Sequence, residues 1–260
     1  MLIDSHVHLN DSDLAPLADR IVGDFATDGL LAVVNVGYDM PSSLLAVEQA
    51  GRYKNVFAAV GMHPHDSKLM KDTDYGTLCN LAEHDKVVAI GEIGLDYHYD
   101  LSPRETQKQV FERQLILADE LKLPVILHVR EAYEDTREIL ERNKQRLTSG
   151  VLLHCYSGSA EMVKMFDKYD CYYAFGGAIT FKNAKHNLEA LKTVRRDRLL
   201  LETDCPYMTP VPFRGQMNEP KYINLVLEKA AEILETDKEE LAKTTVKNTL
   251  EFFKKMILDR

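Results

Sequence analysis

Six side chains of the kinds that hold divalent cations, His6, His8, Glu92, His128, His154 and Asp204, each stand at the end of a short apolar run or just beyond it. The runs are Met1-Leu2-Ile3, Val87-Val88-Ala89-Ile90, Pro124-Val125-Ile126-Leu127, Val151-Leu152-Leu153 and Leu199-Leu200-Leu201. Parallel strands closed into a barrel bring all their C-terminal ends to one rim, where residues remote in sequence converge. The chemistry such a set points to is hydrolysis on two metals. A pair of cations about 3.5 to 4 Å apart lowers the pKa of water from about 15.7 to about 7 and neutralises charge on a phosphodiester during in-line displacement.

Each residue also has a plainer reading. His6-Val7-His8 places two imidazoles at i and i+2, one face of an extended strand, so both rings reach one metal; a lone histidine there is more often structural. Glu92, flanked by Gly91 and Gly94, is the carboxylate able to bridge two cations, against the alternative of a cap or surface ion pair. His128 and His154 each offer an imidazole to the second ion, against hydrogen-bonded core histidines. Asp204 is the expected base, and Glu202, two residues earlier on the same face, is a candidate acid or hydrogen-bond partner behind it. His63-Pro64-His65 sits at another strand end, where His63 and His65 suit a substrate phosphate or leaving group as well as a turn. Arg130 reads equally as a bidentate contact to a substrate anion and as a helix-entry ion pair. Asn218 reads first as a helix cap and second as a substrate ligand.

The elements needed to position these residues are visible in the same pattern. Val/Ile/Leu-rich runs alternate with longer stretches of helical period, which predicts repeated βα units and an α/β fold. Eight strands are expected, over residues 2–5, 31–36, 56–60, 87–91, 125–129, 151–154, 171–175 and 198–202. Several are apolar throughout, as parallel strands covered on both faces are. A helix is expected over 103–122, with Pro103 in its first turn and Val110, Phe111, Leu115, Leu117, Ala118 and Leu121 facing inward. Another is expected near 218–234, capped by Asn218 with Pro220 in its first turn. One or two further amphipathic helices follow from Asp237, with Leu241, Val246, Leu250, Phe253 and Ile257 on the apolar side. With no linker or repeat, a single domain over residues 1–260 with extra C-terminal helices is the expectation.

Composition narrows the function classes. A hydrophobic share of 45% and a charged share of 28% fit a globular chain with a sizeable core. The N-terminus enters a strand directly and no run approaches the ~20 residues of a membrane span, so a cytoplasmic protein without membrane contact is expected. Cys79, Cys155, Cys171 and Cys205 show no Cys-x-x-Cys spacing and are expected as free thiols. The net charge of -9 disfavours a broad basic groove. Any DNA contact must therefore be local.

Several blocks, in order, resemble one family. Leu2-Ile3-Asp4-Ser5-His6-Val7-His8-Leu9-Asn10, Gly61-Met62-His63-Pro64-His65, Gly91-Glu92-Ile93-Gly94-Leu95-Asp96-Tyr97 and Leu201-Glu202-Thr203-Asp204-Cys205-Pro206-Tyr207 are similar to the TatD-type metal-dependent deoxyribonucleases of the amidohydrolase superfamily. So are Leu127-His128, His154-Cys155-Tyr156-Ser157-Gly158 and Arg214-Gly215-Gln216-Met217-Asn218-Glu219-Pro220, with Tyr156 where many relatives have Phe. The resemblance implies a (β/α)8 TIM barrel acting on DNA phosphodiesters, often from a 3′ end. It implies two divalent cations (Zn, Mn, Mg or Fe) held by His6, His8, Glu92, His128, His154 and Asp204. A monomer acting on single-stranded DNA or 3′ ends is the resulting expectation. The competing expectation is an amide or ester hydrolase on the same metals, such as an aminoacyl-tRNA deacylase or a cyclic amidohydrolase. Glu92 stands where related amidohydrolases often carry a lysine carbamate, which tips the reading toward the nuclease. A metal-binding protein without turnover is the third possibility, though acids beside an open site exceed what storage needs.

Overall fold

The computed structural model describes residues 1–258. Eight parallel strands run in chain order around a nearly closed barrel: β1 (Leu2–Val7), β2 (Leu30–Val36), β3 (Val56–Val60), β4 (Val87–Asp96), β5 (Val125–Arg130), β6 (Val151–Leu153), β7 (Tyr172–Phe175) and β8 (Leu199–Leu201). Helices α1 (Ala18–Gly23), α2 (Phe25–Asp28), α3 (Met40–Arg52), α4 (Asp72–Ala82), α5 (Arg104–Leu121), α6 (Tyr133–Arg142), α7 (Ala160–Phe166) and α8 (Lys185–Thr193) lie between them, and α9 (Ile223–Leu234) and α10 (Lys238–Phe252) follow β8. The fold is the expected (β/α)8 TIM barrel. Strands such as Val56-Phe57-Ala58-Ala59-Val60 are buried at every position because both faces are covered, which explains their unbroken apolar character.

Backbone ladders join each strand to the next from β1 to β8. The seam between β8 and β1 is held differently, by polar links among residues near the rim. Ser5 Oγ donates to Leu201 O at 3.0 Å, Asp204 N to His6 O at 3.0 Å and His8 N to Cys205 O at 2.8 Å. The buried Asp4 carboxylate accepts from Thr203 N at 3.0 Å and from Thr203 Oγ1 at 2.6 Å.

The fourth strand departs from its expected span. It continues to Asp96 instead of stopping at 91, so Glu92 lies within a strand. Ladder register shifts between Ile90 and Ile93 on β4, and between Asp4 and Val7 on β1. Such irregularities re-aim side chains. Ile3 packs in the barrel interior, yet His6, three residues later, also points inward to meet Glu92, which an unbroken period of two forbids.

The two ends of the barrel are filled differently. At the N-terminal end Ile3, Val34, Phe57, Val88, Ile126 and Leu200 form an apolar interior, closed below by Phe252, Phe253 and Met256 from the end of α10 and just beyond. Burial of one such aromatic contributes about 1.5 to 3 kcal/mol. Of the tail residues assigned to the apolar side, Leu241 and Phe253 are buried and Val246 and Leu250 pack partly, but Ile257 is 77% exposed because the helix has already ended. Helix α5 matches its expected span, with Pro103 at its N-cap and Val110, Phe111, Leu115, Leu117 and Ala118 buried. The expected 218–234 helix is instead a 3-10 turn over Pro220–Tyr222 followed by α9. Among the described residues, no helix is long and apolar enough to cross a membrane, and the four cysteines are unpaired thiols.

Candidate active site

Glu92 is the hub of the C-terminal end of the barrel. Its Oε2 faces His6 Nε2 at 3.5 Å and His8 Nε2 at 3.9 Å. Its Oε1 faces His154 Nε2 at 2.7 Å, His128 Nδ1 at 2.8 Å and His63 Nε2 at 3.5 Å. One carboxylate thus separates two clusters of imidazole nitrogens. Asp204 joins the first, with Oδ1 3.4 Å from His8 Nε2 and 3.9 Å from His6 Nε2. Close backbone packing makes the arrangement possible: a Cβ on Gly94 would lie 2.1 Å from His128 O, and Gly94 itself has φ +138°.

Three groups among these residues have ligand atoms close enough for one cation: His6, His8 and Glu92; His63, Glu92 and His128; and His6, His154 and Glu202. The spacing tests the fit. Two ligand atoms on a tetrahedral ion at about 2.1 Å stand about 3.3 to 3.4 Å apart, and His6 Nε2 and His8 Nε2 are 3.3 Å apart. His154 Nε2 is 2.7 Å from Glu92 Oε1 without hydrogen-bonding to it, and His6 Nδ1 is a buried nitrogen with no partner. Converging nitrogen and carboxylate atoms that are close but not hydrogen-bonded are the donor set of a first-row divalent cation. The residues fit the group.

Most of these imidazoles are oriented from behind. His8 Nδ1 is 2.8 Å from Val36 O, which leaves Nε2 toward the cavity. His154 Nδ1 faces Glu202 Oε1 at 3.5 Å, and that oxygen also accepts from Cys155 N at 2.6 Å. His128 Nε2 and His65 Nε2 converge on one oxygen of Asp96, at 3.0 and 2.9 Å. Asp96 is fully buried and clamped by Gln107 of α5, whose Oε1 accepts from Asp96 N at 2.9 Å. Asp96 was not among the residues singled out from sequence. Its signal was its spacing, four residues after Glu92 on one strand and therefore on a related face.

The site's own field favours positive charge. Burial pushes the Glu92 carboxyl up, but His154, His63 and His128 outweigh it and hold the group well below the usual carboxylate range. Asp204 is lowered in the same way, burial being overcome by His8 and its neighbours. Burial depresses His154, yet Glu92 and Glu202 raise it well above its ordinary value. His63 is instead pushed down to about 4 by burial, so it is neutral near pH 7.

Above these groups opens a cavity of about 670 Å³, with Tyr38, Tyr99, Tyr207 and Arg130 in its walls. Arg130 stacks on Tyr99, 4.8 Å from the ring centroid, and makes no ion pair among the described residues, so the helix-entry alternative is not realised. His63 lies against Glu92 at the floor, deeper than the loop contact expected of it, while His65 is held to Asp96. Asp204 sits on the wall in the left-handed region, φ 57°, a conformation that a short polar side chain tolerates. Asn218 corrects its expectation. It caps no helix and does not reach the cavity: it is fully buried, and its amide donates to Thr203 O at 2.9 Å and Tyr207 O at 2.6 Å, tying down the loop that carries Asp204.

Known proteins are similar to this chain over nearly its whole length. The family model for TatD related DNase matches residues 3–254. The uncharacterized metal-dependent hydrolase YabD of Bacillus subtilis is 43% identical over 258 residues, covering 98% of this chain and 99% of that protein. The uncharacterized metal-dependent hydrolase YcfH of Escherichia coli K12 is 35% identical, with 97% and 95% covered. The crystal structure of YJJV, a TatD homolog from Escherichia coli K12, superposes with a TM-score of 0.92 at 29% identity, covering 97% of this chain and 98% of that one.

Proposed function

The chain belongs to the TatD-related DNase family of metal-dependent hydrolases, and from that premise we propose that it cleaves phosphodiester bonds in DNA, taking single strands from a 3′ end. The observation that carries the reading is the position of Glu92, with one oxygen toward His6 and His8 and the other toward His128 and His154, beneath a cavity walled by an unpaired arginine. His6, His8 and Asp204 would hold one cation, His128 and His154 a second, and Glu92 both. Bound there, divalent cations supply an acidified water at neutral pH and neutralise phosphoryl charge.

The chain's own residues do the rest. Asp204 accepts the proton of the attacking water, and its backbone N–H to His6 O keeps its carboxylate beside the first strand. Asp96 holds His128 through Nε2 and so presents Nδ1, while the Glu202 carboxylate lies 3.5 Å behind His154 Nδ1 and favours its charge. Arg130 offers a planar fork to a substrate phosphate, pre-oriented by Tyr99. The half-exposed rings of Tyr99 and Tyr207 flank the mouth, where unpaired bases can stack. A cavity of about 670 Å³ is the size of a small-ligand pocket, which suits the end of a strand better than a duplex.

The test is incubation of labelled single-stranded DNA with the protein and Mg2+, Mn2+ or Zn2+, with and without chelator. Metal-dependent shortening from the 3′ end is expected. Intact DNA under every metal, with hydrolysis of aminoacyl-tRNA or a cyclic amide in parallel tubes, would overturn the nuclease reading.

A further inference from the structure

A second feature lies beside the cavity, on α8 and the turn before it. Lys182, Lys185 and Lys192 are exposed and surround a depression of about 240 Å³ together with Phe181 and Leu188; Glu189 is its single acid. Arg214, from the loop after β8, lies 4.0 Å over the ring of Phe181. Among the described residues none of these four cations makes an ion pair. Their neighbours Arg195 and Arg198 are, by contrast, paired with Asp170 and Asp197. Unpaired positive charge is thus gathered on one face of a chain whose net charge is -9.

This face adjoins the cavity. Val211 N donates to Thr180 Oγ1 at 2.9 Å, and a Cβ on Gly177 would fall 1.9 Å from the carbonyl oxygen of Met208, a residue of the cavity wall. Asn187 of α8 donates to Tyr156 O at 3.0 Å, next to Cys155 and Ser157 of the same wall. The loops after β6, β7 and β8 therefore interlock, so the turn that carries Lys182 and the start of α8 border the cavity wall.

We infer that this face is a second nucleic-acid site, holding the phosphates of the strand that lies outside the cavity; the inference rests on the nuclease reading above. An acidic protein repels a polyanion at long range, so its affinity for one must come from a few unpaired cations close to the reacting end. Ammonium groups contribute as point charges, and Arg214, stacked on Phe181 with one nitrogen donating to Thr209 O at 3.3 Å, has its remaining N–H groups to offer a phosphate. The site binds backbone without regard to sequence, and only strands long enough to reach it gain from it.

The experiment compares the wild-type protein, loaded with metal, with the triple variant Lys182→Gln/Lys185→Gln/Lys192→Gln. Fluorescence anisotropy reads binding of cleavage-resistant phosphorothioate oligothymidylates of about 4 and about 16 nucleotides. For the long strand, the variant is expected to bind about tenfold more weakly, with its log-log salt slope reduced by about 2. The short strand and the turnover of a small chromogenic phosphodiester are expected to stay within about twofold, and a Lys→Arg triple variant should restore long-strand binding. Equal long-strand affinity and slope in wild type and variant would overturn the inference, as would a wild type that binds no long strand. The two readings fail separately: a protein that cleaves no DNA yet shows the lysine-dependent length effect retains the binding surface and loses the nuclease assignment. Matching thermal melts show that the variants are folded.

Discussion

Replacing Asp96 by Asn tests how the site selects its ligand nitrogens. One carboxylate oxygen accepts from His65 and His128 at 2.9 and 3.0 Å, and the other accepts from His98 N and Tyr99 N at 2.9 and 2.8 Å. Asparagine keeps a single oxygen. If that oxygen stays with the two backbone amides, its NH2 group faces two imidazole N–H groups, and His128 must move its proton to Nδ1. That nitrogen lies 2.8 Å from Glu92 Oε1 and is the one available to a cation. Loss of a hydrogen-bond partner behind a metal ligand typically costs about 10- to 100-fold in affinity or activity, or about 1.4 to 2.7 kcal/mol. The range matches the roughly 1.5 to 3 kcal/mol of a hydrogen bond to a charged group. Calorimetric titration with Zn2+ or Mn2+ should show one class of site weakened by that factor, and nitrogen NMR should show the His128 tautomer reversed. A variant with wild-type metal affinities and turnover, or with an unchanged tautomer, would refute the argument.

Other consequences can be checked directly. Asp204→Asn should keep the melting temperature and lower turnover by about 10²- to 10⁴-fold, as removal of a general base does; near-normal rates would move the base elsewhere. Phe253→Ala should destabilise by about 3 to 5 kcal/mol through a cavity beneath the barrel. Denaturant unfolding would show it, while activity per folded molecule stays unchanged because the site lies at the other end. Dialysis against chelator should lower stability by about 2.7 kcal/mol relative to protein at a cation concentration 100 times its Kd, and a melting curve indifferent to chelator would argue against the metal site.

Much of the fold is legible from the apolar runs because parallel strands buried on both faces leave a strong signal. The rims are less so. Whether Glu92 ends a strand or lies inside one depends on the register shift between Ile90 and Ile93, which is a property of two neighbouring strands. Pro220 does open the turn that leads into α9, but the residue at its N-cap is Glu219 and not Asn218. The real partners of Asn218, Thr203 O and Tyr207 O, belong to a different loop. Asp96 escaped notice because an acid partnered by histidines from two other segments has no local pattern. The residues around Glu92 could be gathered from sequence because each lies in a strand or just after one, marked by an apolar run, whereas the groups behind them are joined only by the closed barrel.

The seam between β8 and β1 has a consequence for when the protein becomes competent. The contacts that close it join positions 196 and 199 residues apart, Ser5 with Leu201 and Asp4 with Thr203. His6 and His8 come from the first strand and the residues just after it, whereas Asp204 follows the eighth. The group of His6, His8 and Asp204 that would hold one cation is therefore assembled only when the two sides of the seam meet. Binding of such a cation would therefore report closure of the seam, the longest-range junction between strands in the barrel.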